Sequence, residues 1–484
     1  MTTSSVNPST DASQFNDATL SSQRWRVLLS YSLLIMNSTW IWITWSPIAT
    51  LMTQFWQVQL SHIDALAAIY LYFYVPGSFL STFCVKRYLG LHWGLLCAAG
   101  LNVVGAWVRL EFVRNYRAVC GGTLLCALGH TMAMATLPLI ATKWFGATEK
   151  ATVCSVAWLA SQMGVAVGLG ATVIVSFGTI VDENETIMTA AVLARYLRLQ
   201  MAVGILAFWL IFLFGRGSPP TPPSVVGAAS RGSGPTDTTK DPPTEETQLL
   251  PVRKEQEDEP PAVDSSSYLE SVQLVLSSSS SIFFAVLFGV ASGVFYTIPV
   301  YLSQLTPPHW HATWNGWLGM SYQGIGIMGS LGALRLVDAT QQHGRISVFL
   351  LAFGAIYLIL FAVSLYMHDD MESHEYMTGS VVHAISALTL IAGVLGSGLC
   401  LAAWNPVGIE WGTKLLPQAD EWSVFVVLES SAKLFAFLWV TLGGILLDTE
   451  MRPVYFMITL ASVSILSVLF LALNKGMVER RHGN

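Results

Sequence analysis

Two residues of opposite charge, Glu429 and Lys433, lie four positions apart inside a strongly apolar segment. On a helix this spacing and order bring a carboxylate and an ammonium together on one face. A lysine at the centre of a bilayer costs about 2.5–3.5 kcal/mol on insertion scales, so it must be paired, hydrated or used. Two interpretations stay open: a self-neutralising structural pair, or a cavity group that binds a carboxylate or phosphate or exchanges a proton. In both interpretations the positive charge of Lys433 would repel a free organic cation unless the negative charge of Glu429 has the larger effect.

Aromatic residues shortly before a proline occur in two apolar segments. Trp42 precedes Pro47 in a run that contains three tryptophans, and Tyr296 precedes Pro299. Proline removes a backbone donor, so such helices are expected to face protein or a wet cavity rather than lipid alone. Trp42 and Tyr296 are candidates for a cage around a quaternary or protonated amine, worth about 2 kcal/mol when desolvated. The alternative is interfacial or core packing; two such helices predict an internal repeat with a ligand site between its copies.

His130 lies in the middle of a further apolar segment. An unperturbed imidazole titrates near pH ~6.5, which makes this side chain a candidate for carrying a proton during transport. The alternative is a hydrogen-bonded histidine in the protein core.

The composition places these residues in a membrane. The chain has 484 residues, of which 53% are hydrophobic and only 11% charged, so we predict a polytopic membrane protein and not a soluble enzyme. The net charge of −6 gives no reason to propose nucleic acid as a partner. The six cysteines fall in or beside apolar runs without metal-ligand spacing, so we predict no metal and no cofactor.

Apolar segments of about 20 residues predict an all-α membrane protein with six transmembrane helices in each half. A Pro-, Ser-, Thr- and Glu-rich stretch with few aromatic residues separates the halves and predicts a flexible linker. The predicted domains are a disordered N-terminus 1–23, a six-helix bundle 24–215, a disordered linker 216–270, a second six-helix bundle 271–475 and a tail 476–484. The predicted helices are 27–51, 64–85, 91–110, 119–140, 151–181, 188–214, 281–304, 314–336, 347–367, 381–404, 424–446 and 454–473.

Most of the 24 Lys and Arg residues fall on the side of the membrane that carries both termini and the linker. Positively charged loops stay preferentially in the cytoplasm. We therefore predict that both termini are cytoplasmic.

Several motifs in this order resemble the feline leukaemia virus subgroup C receptor-related family of the major facilitator superfamily. They cover helices 1 to 5 and 10 to 11, and as an ordered set they are specific. The motifs are His62-Ile63-Asp64, Tyr74-Val75-Pro76, Gly100-Leu101-Asn102, Trp144-Phe145-Gly146, Ser161-Gln162-Met163-Gly164 and Pro406-Val407-Gly408-Ile409-Glu410.

The resemblance implies a major facilitator fold, alternating access and a substrate such as choline or a related amine, haem or a pyridoxine-like vitamin. Of the four residues that line the site in choline-transporting members, Trp42, Gln162 and Tyr296 match. The fourth is a glutamine in helix 11, where this chain has Lys433, and this departure puts choline in doubt. We expect a central site built from helices 1, 4, 5, 7, 10 and 11.

Gating residues follow from the same resemblance. The gating turn between helices 2 and 3 lacks its acidic residue, whereas the second-half counterpart keeps Asp338. Glu410 belongs to a family motif and is expected to pair with a basic residue at the inner gate. Closure on the cytoplasmic side is therefore expected to depend more on the second half.

The linker contains an acidic dileucine pattern formed by Glu245, Leu249 and Leu250. Such patterns bind clathrin adaptor proteins and direct proteins to endosomes or lysosomes, so either these membranes or the plasma membrane is expected. The whole sequence predicts a monomeric secondary transporter of a small organic solute. A non-transporting receptor or nutrient sensor on the same fold is the alternative; an enzyme is not expected, because we find no clustered catalytic groups.

Overall fold

The computed structural model describes most of both apolar halves of the chain. The predicted N-terminus up to residue 22, the greater part of the predicted linker and the sorting residues Glu245, Leu249 and Leu250 lie outside the described residues. The described residues are 23–145, 149–171, 173, 181–182, 185–186, 190–218, 265–307, 310, 312–373, 380–415, 419, 421–448 and 453–479.

Within these residues, twelve long α-helices account for most of the chain. They are α1 Gln23–Ile43, α2 Leu60–Cys84, α3 Gly90–Glu111, α4 Tyr116–Trp144, α5 Lys150–Leu169, α6 Ala190–Phe214, α7 Ser279–Leu305, α8 Ala312–Thr340, α9 His343–Ser373, α10 Ser380–Leu415, α11 Glu421–Asp448 and α12 Pro453–Glu479. We call the side on which α1 begins and α12 ends the terminal side, and the other the opposite side.

Short segments complete the connections. A 3-10 turn, Ser46–Ile48, and a short helix, Ala49–Trp56, continue the first span toward the opposite side. A π-helical turn, Val85–Leu89, joins α2 to α3 on the terminal side, and Gly90 after it has a φ of 65° that favours glycine. The helix Ser265–Ser277 precedes α7 and straddles the predicted linker boundary at residue 270.

Ten segments of the described chain are long and apolar enough to cross a membrane. One of them, Leu60–Glu111, contains both α2 and α3, and α8 is not among the ten. Glycine and polar residues interrupt α8 and lower its apolarity. Counting α2 and α3 separately and adding α8 gives twelve helices, which is the number that the sequence predicts.

Several predicted helix ends are wrong; α10, for example, continues to Leu415, past the predicted end at residue 404. The fifth span was predicted to reach residue 181; α5 ends at Leu169, Ala171 and Val173 are still helical, and Val181–Asp182 pairs with Glu185–Thr186 in a small antiparallel hairpin. The last helix was predicted to end at residue 473 and continues to Glu479.

The second six helices repeat the packing order of the first six. In the first half α1 packs against α4, α5 and α6, and α3 packs against α4 and α6. In the second half α7 packs against α10, α11 and α12, and α9 packs against α10 and α12. Between the halves, α2 packs against α11 and α5 against α8, which are equivalent pairs under the same shift of six helices. The predicted internal repeat is therefore visible in the packing.

Glycines hold the innermost helices of each half close together. A Cβ on Gly164 of α5 would lie 2.1 Å from the carbonyl oxygen of Met36 in α1. In the second half a Cβ on Gly293 of α7 would lie 2.8 Å from the backbone nitrogen of Ala436 in α11. Because neither position has room for a side chain, the helices that carry the candidate site approach at backbone distance.

Proline interrupts α7 next to the site, and a neighbouring side chain satisfies the carbonyl that it frees. Pro299 lies inside α7 and cannot donate to the carbonyl of Phe295, four residues earlier. The hydroxyl of Tyr322 in α8 donates to that carbonyl at 3.4 Å. The interruption thus ties α7 to α8 at the level of Tyr296.

Candidate functional site

A cavity of about 1170 Å³ lies between the two six-helix bundles. It is lined by residues of α1, α2, α4, α5, α7, α8, α10 and α11, so α2 and α8 contribute in addition to the predicted helices. On the terminal side the lining reaches the exposed side chains of Thr142, Lys414 and Glu421. The cavity therefore opens on the terminal side.

All four predicted substrate-binding residues, Trp42, Gln162, Tyr296 and Lys433, line this cavity. Each is buried in the described protein, with at most 9% of its surface exposed. They come from four different helices, and the fold brings them into one chamber instead of turning them toward lipid. That they bind substrate stays a prediction.

Only one of the three clustered tryptophans of the first span belongs to the cavity lining. The indole nitrogen of Trp40 donates to the hydroxyl of Tyr196 at 2.8 Å, inside the first bundle. Trp45 packs with its ring 4.8 Å from the guanidinium carbon of Arg109. Trp42, between them, donates to the carbonyl of Ala67 at 3.2 Å and lines the cavity.

Three aromatic rings surround the ammonium of Lys433. Its Nζ lies 3.2 Å from the ring centroid of Tyr296, 5.7 Å from that of Trp42 and 5.8 Å from that of Tyr74. The rings of Trp42 and Tyr296 meet edge to face, with centroids 6.2 Å apart. We call Trp42, Tyr74 and Tyr296 the aromatic cage. Its present occupant is the cation of the chain itself.

Glu429 completes this charge arrangement. Its Oε1 lies 3.3 Å from the Nζ of Lys433 and accepts a hydrogen bond from the Tyr296 hydroxyl at 2.8 Å. Both charged side chains also line the cavity. The two residues therefore form an ion pair at the cavity wall, and ligand binding or proton exchange by this pair stays a prediction.

Tyr74 is a site residue that sequence reasoning did not assign. It lies two residues before Pro76, the same relation of aromatic residue and proline that singled out Trp42 and Tyr296. That signal was present in the motif. The contact of α2 with α11, which brings Tyr74 to Lys433, follows from the packing of the two bundles.

His130 lines the same cavity from α4. Its Nδ1 shares a hydrogen bond with the hydroxyl of Ser38 at 3.2 Å. Its ring faces those of Tyr70 and Tyr74, with centroids 6.0 and 6.1 Å away. The imidazole is thus both hydrogen-bonded in the core and close to the cage.

Side-chain hydrogen bonds also join the two bundles directly. Gln323 of α8 donates a side-chain hydrogen bond to Gln162 of α5. The hydroxyls of Ser78 in α2 and Ser430 in α11 are 3.2 Å apart. These two contacts join the equivalent helix pairs α5–α8 and α2–α11.

The opposite side is sealed by hydrogen bonds across the bundles. Gln304 at the end of α7 donates to the carboxylate of Asp64 in α2 at 2.7 Å. The hydroxyl of Ser303 donates to the carbonyl of Ser46 at 2.7 Å. The structure is therefore in a state that is closed on the opposite side and open on the terminal side.

The predicted gating residues lie at the terminal-side mouth of the cavity. The carboxylate of Glu410 accepts from Lys414 at 2.8 Å and lies 3.0 Å from the Nε2 of His343. Asp338 of α8 is exposed and lines the same mouth. The expected basic partner of Glu410 is thus Lys414; its role in gating stays a prediction. In the part of the chain that the structure describes, no group of three or more His, Cys, Asp or Glu residues is arranged to hold a metal.

Comparisons with known proteins identify the family to which the chain is similar. The family model for the Major Facilitator Superfamily matches residues 27–410. The choline/ethanolamine transporter FLVCR1 of Felis catus is 24% identical over 481 residues, which cover 99% of this chain and 77% of the relative. The choline/ethanolamine transporter FLVCR2 of Homo sapiens is 22% identical over 436 residues, covering 89% of this chain and 73% of the relative.

Solved structures show the same architecture. A D-xylose-proton symporter aligns with a TM-score of 0.63 at 12% identity and covers 92% of this chain and 97% of its own. The partially occluded inward open form of the xylose transporter XylE from E. coli aligns with a TM-score of 0.62 at 12% identity, over 93% of this chain and 97% of its own. At these identities the likeness shows the fold alone.

Proposed function

Because the chain belongs to the Major Facilitator Superfamily, we propose that it carries a small protonated amine across a membrane by alternating access through the central cavity. The superfamily and the twelve-helix fold are as the sequence predicted, and the chain is a multi-pass integral membrane protein. The observation that carries the proposal is an ammonium held by three aromatic rings and a carboxylate at the cavity wall. The named choline/ethanolamine transporters among its relatives support the same solute class.

The chemistry of the cage favours a protonated amine over a quaternary one. A cation over a desolvated aromatic face gains about 2 kcal/mol, whichever amine carries it. Glu429 adds a carboxylate that already accepts from a hydroxyl and faces an ammonium. A primary amine such as ethanolamine donates N–H hydrogen bonds to this carboxylate, and choline has none to donate. The amide of Gln162 offers a partner for a hydroxyl on the solute.

The described state provides one half of an alternating-access cycle. The seal between Asp64 and Gln304 closes the opposite side while the terminal side is open. The two bundles have equivalent packing, and they touch through the equivalent pairs α2–α11 and α5–α8. Rocking about these pairs opens one side as it closes the other. With both termini in the cytoplasm, this state faces inward.

The proposed cellular location follows from the linker. Glu245, Leu249 and Leu250 form a sorting signal that places the transporter in endosomal or lysosomal membranes through clathrin adaptors. The protein acts as a monomer, since the cavity and its gates are formed within one chain.

Uptake into proteoliposomes tests the function. Labelled ethanolamine, choline, pyridoxine and haem are offered to the wild type and to Trp42→Ala, with Trp209→Ala as the control, because Trp209 is 54% exposed on the surface of α6. We expect ethanolamine uptake that Trp42→Ala lowers by at least about tenfold, since roughly 2 kcal/mol of cage attraction corresponds to about thirtyfold in affinity, and that Trp209→Ala leaves unchanged.

Two other outcomes have distinct meanings. Ethanolamine binding without uptake would favour the alternative, a receptor or nutrient sensor on this fold. Uptake of pyridoxine or haem with no amine binding would overturn the amine as the solute.

A further inference from the structure

The aromatic cage already contains one cation, the ammonium of Lys433. The Nζ of Lys433 lies 3.2 Å from the ring centroid of Tyr296 and 3.3 Å from the carboxylate of Glu429. A solute ammonium that uses the same ring and the same carboxylate has to take this position. Lysine is suited to leaving it, because the ammonium sits at the end of a flexible four-carbon stem.

Electrostatics prevents both cations from remaining charged in the cage. Two unit charges of the same sign about 4 Å apart, at an effective dielectric constant of about 20, weaken binding by roughly a thousandfold. Glu429 balances one positive charge and not two. The site therefore has two neutral arrangements: a charged lysine with no solute, or an uncharged lysine with a solute cation.

We propose that Lys433 is a tethered competitor for the solute, so that the protein exchanges one amine for one proton. This inference rests on the proposed transport of a protonated amine and names its coupling ion. When solute enters, the Lys433 ammonium transfers one proton to cavity water, which carries it out on the open side. The uncharged lysine withdraws, and the solute cation takes its place beside Glu429.

The cycle closes on the other side of the membrane. When the solute leaves there, the amine of Lys433 takes a proton from water on that side and returns to the cage. The empty carrier then crosses with the lysine charged and neutralised by Glu429. One amine moves in one direction and one proton in the other, so a pH gradient drives accumulation of amine.

An experiment on proton exchange has to distinguish Lys433 from the other titratable groups near the cage. Tyr296 faces it from α7, Tyr74 from α2 and Glu429 from its own helix. His130 faces the cage from α4, with its ring 6.1 Å from that of Tyr74. Of these, His130 is the group whose ordinary titration falls near neutral pH.

The remaining helices packed against α11 place their charges farther along the cavity or outside it. α10 contributes Glu410 and Lys414 at the terminal-side mouth. The helix Ser265–Ser277 carries Glu270, and α12 carries Tyr455; both are exposed. None of these four residues is among the contacts of the Lys433 ammonium that define the cage.

Calorimetry on the full chain in lipid nanodiscs tests the exchange. Ethanolamine is titrated at several pH values and in buffers of different ionisation enthalpy, which counts the protons released on binding. We expect one proton released per amine and an apparent Kd that rises about tenfold for each unit of acidification, because a protonated lysine competes with the solute. Lys433→Gln should release no proton through this residue and lose the pH slope.

Three further variants make the result specific. His130→Gln should keep the slope, and Lys143→Gln, an exposed lysine at the end of α4 outside the cavity lining, should behave as wild type. Lys433→Arg keeps a side chain that stays charged at every accessible pH, so it should bind amine at least about a hundredfold more weakly and release no proton. This variant retains the ion pair and serves if Lys433→Gln folds poorly.

The outcomes separate this inference from the proposed function. Equal pH slopes in wild type and Lys433→Gln, or a slope that disappears in His130→Gln, would overturn exchange through Lys433 while amine binding stands. Absence of amine binding in both wild type and Lys433→Gln would overturn the proposed function as well. In proteoliposomes, a pH gradient should drive uphill amine uptake by wild type and only downhill uptake by Lys433→Gln.

Discussion

Removing either member of the buried ion pair should destabilise the protein, and removing both should destabilise it less. The perturbation is a double-mutant cycle of Glu429→Gln and Lys433→Gln. The charged atoms lie 3.3 Å apart, and their residues are 6% and 9% exposed. At an effective dielectric constant of about 20 this separation gives an attraction of about 5 kcal/mol. Burial of the two charges offsets part of it, which leaves about 2–3 kcal/mol, the size of a charged hydrogen bond.

The two single variants should not be equal. In Glu429→Gln the ammonium keeps its contacts with the rings of Trp42, Tyr74 and Tyr296. In Lys433→Gln the carboxylate loses its only cationic partner among the described contacts and keeps the hydroxyl of Tyr296. We therefore expect stability to fall in the order wild type, double variant, Glu429→Gln and Lys433→Gln.

Thermal unfolding followed by tryptophan fluorescence in detergent measures this order. For a chain of this length, a loss of about 3 kcal/mol lowers the midpoint by on the order of 3 °C. The reasoning would be refuted if the losses of the two single variants simply added in the double variant, or if Lys433→Gln melted at or above the double variant.

Two further predictions concern packing and sorting. Gly164→Ala should lower the thermal midpoint and the yield of folded protein, because its Cβ would lie 2.1 Å from the carbonyl oxygen of Met36; Gly332→Ala, with nothing within 4 Å of the added Cβ, should be neutral or slightly stabilising. Equal midpoints for the two variants would contradict the close contact of α1 and α5. Leu249→Ala with Leu250→Ala should move the protein from endosomal or lysosomal membranes to the plasma membrane in fluorescence microscopy, and an unchanged distribution would remove the sorting signal.

The apolar segments of about 20 residues were sufficient to predict most of the helices. Eleven of the twelve helices are strongly apolar or belong to such a segment, and their number follows from length alone. The end of the fifth span was misplaced at residue 181, which belongs to a β-strand, because the sequence is apolar up to that residue. Helix ends depend on local hydrogen bonding, which composition does not report.

The site residues could be predicted where a residue type was unusual for its depth in the membrane. Lys433 and Glu429 are charged, and Trp42 and Tyr296 are aromatic residues a few positions before a proline. Tyr74 carried the same signal, but among many aromatic residues nothing in the sequence showed that α2 would face α11.

The contacts between residues far apart in the chain could not be predicted. The seal between Asp64 and Gln304 joins residues 240 positions apart, and the contact between Gln162 and Gln323 joins residues 161 apart. The sequence indicated that polar groups in apolar helices need partners. Which partner each one finds depends on how the bundles meet.

A reversible cross-link across the seal tests most directly whether solute passes through this cavity by alternating access. Asp64→Cys and Gln304→Cys are combined, joined by a short reagent with a reducible linker, and ethanolamine uptake is measured before and after reduction. Both variants are made in a chain whose six native cysteines are replaced by serine, because Cys154 is exposed and lines the cavity. We predict that the cross-linked protein takes up no ethanolamine, that reduction restores uptake, and that Asp64→Cys or Gln304→Cys alone, treated in the same way, is unaffected. Full uptake by the completely cross-linked protein would contradict the account.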